Sequence, residues 1–202
     1  MRLHYSPNSP YARKVVVALA ETGQTNDVEI VEASTGPLNA QAMPATLNPL
    51  GKIPALERAD GAALYDSRVI CRYVDSRAGG VLYPAAPRLW DTLTIEATAD
   101  GIMDAALLMV YESRVRPEDK RFDGWLEGQW SKVTRALDML ESRWMPHLNG
   151  PIDMGAIAVC CALGYLDLRH NARGWRETRP ALAAWVADFS ARPSMLASQP
   201  PG

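Results

Sequence analysis

Asn48-Pro-Leu-Gly-Lys-Ile-Pro54, running directly into Ala55-Leu-Glu57, is the stretch on which the fold turns. It is dense in turn formers, and Pro54 stands at the entrance of a strand-like segment, where its missing N–H is tolerated. Ala59-Asp-Gly61 then separates Ala55–Glu57 from Ala62–Tyr65, so the two segments read as a hairpin. Asp66-Ser67 follows, just ahead of the periodic apolar set Val69, Ile70, Tyr73 and Val74. That spacing predicts a helix ending near Gly79-Gly80.

Towards the amino terminus, Met1–Tyr5 alternates as a half-buried strand does, and Ser6-Pro-Asn-Ser-Pro10 interrupts it. Tyr11, Val15 and Leu19 then share one helical face, with Ser9 at the N-cap, Pro10 at the first helical position and Gly23 as the stop. Val28-Glu-Ile-Val31 reads as a second strand, which makes a β-α-β unit with parallel pairing. Residues 35–45 read as loop with a short irregular helix. Residues 1–79 therefore run β-α-β-(α)-β-β-α, and residues 80–87, containing Tyr83-Pro-Ala-Ala-Pro87, read as a linker. Beyond them strand signals vanish. Helical periodicity fills Arg88–Arg114, Phe122–Trp144, Asp153–Leu168 and Pro180–Ala191, so residues 88–202 read as an all-helical domain whose end, Gln199-Pro-Pro-Gly202, frays.

Composition narrows the function classes. The chain has 202 residues, 48% of them apolar, which is ample for globular cores. A formal charge of −2 without a long run of one sign argues against a nucleic-acid partner. No signal-peptide pattern opens the chain and no apolar run is long enough to span a bilayer, so the expectation is a cytoplasmic protein without a membrane partner. Cys71, Cys160 and Cys161 offer neither a complete disulfide set nor a Cys-x-x-Cys pair, and His4, His147 and His170 are scattered. Reduced thiols and no metal site are expected.

Ser6-Pro-Asn-Ser-Pro-Tyr-Ala-Arg-Lys-Val15, Asn48-Pro-Leu-Gly-Lys-Ile-Pro-Ala-Leu56 and Asp66-Ser-Arg-Val-Ile70 together resemble the glutathione transferase family. Pro180-x-Leu-x-x-Trp185 and Arg192-Pro-Ser194 resemble the end of that family's helical domain, so the likeness spans nearly the whole chain. The resemblance implies an α/β thioredoxin-like amino-terminal domain that binds glutathione, followed by an all-α domain that contributes the electrophile's pocket. It also implies a homodimer, and detoxification chemistry with glutathione as co-substrate and no metal.

The same resemblance assigns the site. The Ile53–Pro54 peptide would be cis, turning the backbone of Ile53 outward to pair with the cysteinyl amides of glutathione like an added strand. Asp66 would meet the amine of the γ-glutamyl group, and Ser67 its carboxylate at a helix N-terminus, where free N–H groups attract an anion. Without that ligand the same pair reads as an ordinary helix cap.

Ser9 is the candidate for activating the thiol. A free thiol has a pKa of about 8.5, and lowering it by two units requires about 2.7 kcal/mol of preferential thiolate binding. A hydroxyl donor beside a helix N-terminus can supply that, although Ser9 equally serves as a plain cap. Tyr5 and Ser6 compete for the role, and no cysteine occupies this turn. Lys52 and Asn48 flank the loop within reach of the glycyl end, while Arg13 reads as a structural or interface arginine.

Met103, Met109, Tyr111 and Trp175 are candidates for lining the pocket of a hydrophobic second substrate, or for core packing. One departure stands out: the family's reciprocal helix cap has Ser/Thr and, three residues on, Asp, whereas here Asp153 and Ala156 occupy those places. A cap weaker by up to about 1 kcal/mol is expected, with Cys160 and Cys161 buried and inert behind it. The expected activity is nucleophilic attack by glutathione on a hydrophobic electrophile. The alternatives are a non-catalytic glutathione-binding or regulatory protein, or a glutathione-dependent isomerase, lyase or peroxidase.

Overall fold

The computed structural model describes residues 1–39 and 43–201. The chain divides into two compact units, Met1–Pro84 with Pro193–Gly202, and Ala85–Arg192. The short helix expected within 35–45 falls partly on 40–42, and the fraying end includes residue 202; these lie outside the described residues.

The first unit is built on a four-stranded mixed sheet in the order β2-β1-β3-β4, with β1 Arg2–Tyr5, β2 Glu29–Glu32, β3 Ala55–Arg58 and β4 Gly61–Leu64. Strand β1 runs parallel to β2, with Leu3 opposite Ile30, and antiparallel to β3, with Leu3 opposite Leu56. The crossover between the parallel pair is α1 (Pro10–Glu21). Its Ala12, Val15, Ala18 and Leu19 are buried at the 3.6-residue spacing that places them on one face. At its end Gly23 adopts φ +70°, so that its own N–H reaches Ala20 O and the next N–H, of Gln24, reaches Leu19 O. Only a residue at ease in the left-handed region closes a helix this way.

Helix α2 (Ser67–Arg77) follows β4 and buries Ile70, Cys71 and Val74. Asp75, buried on the same helix, accepts from the backbone N–H of Leu82 at 2.6 Å and of Tyr83 at 3.2 Å, which ties down the segment leaving the unit.

The second unit is helical: α3 (Arg88–Val115), α4 (Asp123–Met139), α5 (Met145–Leu148), α6 (Met154–His170) and α7 (Pro180–Ser190). The periodicity that predicted one helix through Trp144 overlooks Pro146. A proline there cannot donate to the preceding turn, and the helix widens into a π-helical segment over Leu140–Trp144 before α5.

Helices α3 and α6 pack side by side with Ile95, Ile102, Met103, Ile157 and Leu163 fully or almost fully buried. They approach so closely at Gly155 that an added Cβ would lie 3.0 Å from Thr92 O and 3.1 Å from Ile95 Cβ.

Asp153 caps α6, as the sequence leads one to expect. Asp153 Oδ1 accepts from Ala156 N at 3.0 Å, and its other oxygen takes Thr92 Oγ1 at 2.8 Å, Arg88 Nη2 at 3.2 Å and His147 Nε2 at 2.6 Å. Partners from α3 and α5 hold the capping carboxylate in place, a contact different from the acceptor that a reciprocal side chain would offer to the Asp153 N–H.

A last helix, α8 (Pro193–Ala197), belongs to the first unit. It lies along α1, with Ser194 donating to Glu21 and Arg13 donating to Met195 O.

Candidate functional site

The strand register determines which loops meet. Tyr5 ends β1, Ala55 begins β3 opposite His4, and Leu64 ends β4 opposite Leu56. The Ser6–Ser9 turn, the Lys52–Pro54 approach and the Asp66–Ser67 helix start therefore leave the same end of the sheet. Two helix N-termini, those of α1 and α2, open there together, each with unsatisfied first-turn N–H groups and a partial positive charge.

Ser9 caps α1. Its backbone is extended (φ −90°, ψ 117°), its Oγ accepts from Ala12 N at 3.3 Å, and its N–H donates to Ser6 O at 3.0 Å. Accepting occupies one lone pair and leaves the hydroxyl hydrogen for an anion. Pro10 at the first helical position removes one N–H from the opening turn, which sharpens the role of those that remain.

The neighbours in this turn differ in chemistry. Ser6 Oγ lies 3.4 Å from Asn8 N, as acceptor. Burial, and secondarily the charge of Glu32, push the Tyr5 phenol above its ordinary range, which keeps it protonated at neutral pH.

The Ile53–Pro54 peptide is cis. Pro54 is buried, Ile53 is half-buried just outside the β1–β3 ladder, and Lys52 is exposed. Asn48 is buried and spends both ends of its amide on the loop, Nδ2 donating to Lys52 O at 2.8 Å and Oδ1 accepting from Leu50 N at 3.0 Å. It shapes the loop that presents Lys52 and Ile53, and is no ligand candidate in this conformation.

Asp66 caps α2, its Oδ1 accepting from Arg68 N at 3.0 Å and its Oδ2 from Arg68 Nη2 at 2.8 Å. Burial pushes this carboxyl up, but the hydrogen bonds from Arg68, helped by the charges of Arg68 and Lys14, outweigh it and hold the group below its ordinary value. It is thus an anion at neutral pH. Ser67, the first residue of the helix, is buried beside it.

Met103, Met109 and Trp175 are buried in the core of the helical unit, and Trp175 Nε1 donates to Asp167 at 2.8 Å. Tyr111 is half-buried, and burial raises its phenol above the ordinary range. Among the described residues no cluster of His, Cys, Asp and Glu is arranged to hold a metal ion, and no helix is long and apolar enough to cross a membrane.

The family profile for the glutathione S-transferase N-terminal domain matches residues 8–77, and that for the C-terminal domain matches residues 123–188. The chain is 35% identical over 205 residues to the uncharacterized GST-like protein YibF of Escherichia coli (strain K12), covering 100% of this chain and 99% of that protein.

A glutathione transferase family member from Pseudomonas fluorescens Pf-5, solved with bound glutathione, shares 46% identity and a TM-score of 0.96 across 100% of this chain and 99% of that one. A family member from the same organism with bound S-(propanoic acid)-glutathione gives 46% and 0.92, covering 100% of both. A mixed-sheet unit followed by a helical one is the fold these proteins share. The chain belongs to the glutathione S-transferase family.

Proposed function

We propose that this chain is a glutathione transferase, with glutathione lying across the sheet end where β1 and β4 finish and β3 begins. The observation that carries this reading is the convergence there of a serine-capped helix start, an exposed-to-buried strand entrance at Lys52–Pro54 and an aspartate-capped second helix start. Glutathione has three handles matching these three places. Its γ-glutamyl end carries an amine for Asp66 and a carboxylate for the first-turn amides of α2 and Ser67. Its central amides pair with the backbone of Ile53 beside Pro54, and its glycyl carboxylate faces Lys52.

The thiol then falls to Ser9. The hydroxyl donates to the sulfur while the N-terminus of α1 adds its partial positive charge, so the anion is favoured over the thiol. The thiolate attacks an electrophilic carbon, forming a thioether, and the displaced leaving group departs with its electron pair. The S-substituted glutathione bound by the Pseudomonas fluorescens relative supports this direction, since it is the kind of product such an attack generates.

The test is a panel of electrophiles offered with glutathione to wild type and to Ser9→Ala. A thioether product from wild type and a steep loss in the variant, with binding of glutathione kept, support the reading. Binding without turnover on any electrophile would make the protein a glutathione binder, and turnover unaltered in Ser9→Ala would remove Ser9 from thiol activation.

A further inference from the structure

The last turns of α3 and α6 gather two phenols and two guanidiniums that the proposed glutathione anchors do not use. The two helices meet there, with His170 Nε2 against Ala106 O at 2.9 Å. Tyr165, on α6, is only 4% exposed, and its hydroxyl accepts a hydrogen bond from Arg169, at the i,i+4 spacing that lets two side chains of a helix meet. Tyr111 and Arg114, on α3, lie close enough for their charges to bear on the same phenol.

Burial pushes the Tyr165 phenol up to about 12, against the pull of Arg169 and Arg114, and burial raises Tyr111 as well. Both phenols are therefore protonated at neutral pH and able to donate. An oxygen that accepts from a guanidinium still has its own hydrogen to give. Two hydroxyls and two guanidiniums, carrying two positive charges between them, make a donor set suited to a carboxylate.

The carboxylates of these turns are engaged or distant. Glu112 takes Arg116 Nε at 2.8 Å and Phe122 N at 3.1 Å, and Asp167 takes Trp175 Nε1 at 2.8 Å and Arg176 Nη2 at 2.6 Å. Asp104 precedes Tyr111 by seven residues, about 10 Å back along the helix axis. Arg114 is exposed, and among the described residues it forms no ion pair. Leu108 and Val115 are also exposed. Three residues before Tyr111 and four after it, they share its face of α3 and set an apolar wall beside the charged groups.

We propose that Tyr111, Arg114, Tyr165 and Arg169 form a carboxylate subsite in the helical unit, and that the electrophile is an apolar carboxylic acid whose body lies on Leu108 and Val115. The reaction rests on the transferase reading above, while the subsite stands on the helical unit alone. An uncharged electrophile leaves the donors without their acceptor, and a site built for such a group rejects the analogue that lacks it.

The decisive measurement is calorimetric titration of 4-nitrobenzoate and of 4-nitrobenzamide, which share a body and differ in charge, into the full-length protein with and without S-methylglutathione. Wild type should bind the acid about tenfold more tightly than the amide, the worth of one charge-assisted hydrogen bond. Arg169→Gln should abolish that preference. Arg114→Gln, at an exposed position, should reduce it about threefold, and amide affinity should stay within about twofold of wild type in both variants. If Arg169→Gln does not fold, Tyr165→Phe, which keeps the ring and removes a donor, takes its place with the same expected loss.

With saturating glutathione, 4-chloro-3-nitrobenzoate should be conjugated in preference to 4-chloro-3-nitrobenzamide, each rate taken relative to its uncatalysed one. The thiolate forms the carbon–sulfur bond, chloride leaves with its electron pair, and the carboxylate is untouched. Equal affinities for acid and amide in wild type would overturn the proposal, as would a preference that survives in both arginine variants. Failure of the transferase reading shows differently: selective binding of 4-nitrobenzoate, with no thioether formed from either chloride, would leave the carboxylate subsite standing and remove the reaction.

Discussion

At the scale of single residues, Asp66 makes the most pointed claim because its charge is both structural and available to a ligand. Its carboxyl lies below the ordinary value because hydrogen bonds from Arg68 outweigh burial. A carboxyl depressed in the folded state contributes its interactions above the unfolded pKa of about 3.9 and loses them as pH falls through the lower folded value. Retention on immobilised glutathione should therefore persist through the ordinary carboxylate range and be lost only at a pH below it, where Asp66 takes up its proton. Asp66→Asn, which keeps a cap but removes the charge, should weaken retention at every pH from 5 to 8. Equal retention by Asn and Asp would mean that the amine of glutathione is held elsewhere. The helix caps at Ser9 and Asp66 and the strand-entrance proline Pro54 were legible in the sequence because each sits in a short run whose turn and cap chemistry is local. Asn48 reads in the sequence as a loop residue within reach of the glycyl end, since the spending of its amide on Lys52 O and Leu50 N is a matter of conformation.

At the scale of elements, α6 is held at both ends by contacts that local patterns do not announce. At its start, Asp153 gathers Thr92, Arg88 and His147, residues 61, 65 and 6 positions away. Asp153→Ala removes the cap and strands several buried donors, for an expected loss of about 2–4 kcal/mol. For a chain of this length the melting temperature should drop by about 10 °C, with glutathione retention at permissive temperature unaffected. A drop within 2 °C would reduce the cluster to an ornament of the cap.

At its other end, His170 Nε2 faces Ala106 O at 2.9 Å. Burial holds its imidazole below the ordinary value, against the opposing pull of that carbonyl. The sign follows: below about pH 6.5 the unfolded chain takes up a proton that the folded one resists, so stability declines as pH falls. His170→Gln should flatten the stability profile between pH 5 and 6.5, as read by urea midpoints; a slope identical to wild type would contradict this. Helix lengths were legible from apolar spacing to within a few residues. The π-helical segment was missed although its signal, Pro146, was in view.

At the scale of the whole molecule, the order of elements was recoverable because each strand and helix carries its own period. What no window of sequence shows is the return of α8 to the first unit. Its anchors, Arg13 and Glu21, lie 182 and 173 positions from Met195 and Ser194, and nothing between Arg192 and Gln199 points to them. The family relationship fixes the fold and leaves the electrophile open, because the sheet end that suits glutathione is built from local motifs whereas a substrate surface is assembled from distant side chains.

The central claim, that glutathione is anchored by Asp66 and activated by Ser9 at one end of the sheet, meets its most direct test in calorimetric titration of glutathione into wild type, Asp66→Ala and Ser9→Ala. One glutathione per chain should bind to wild type, about tenfold or more weaker to Asp66→Ala, and within about twofold of wild type to Ser9→Ala. No heat of binding to wild type, or the same affinity in Asp66→Ala, would contradict the account.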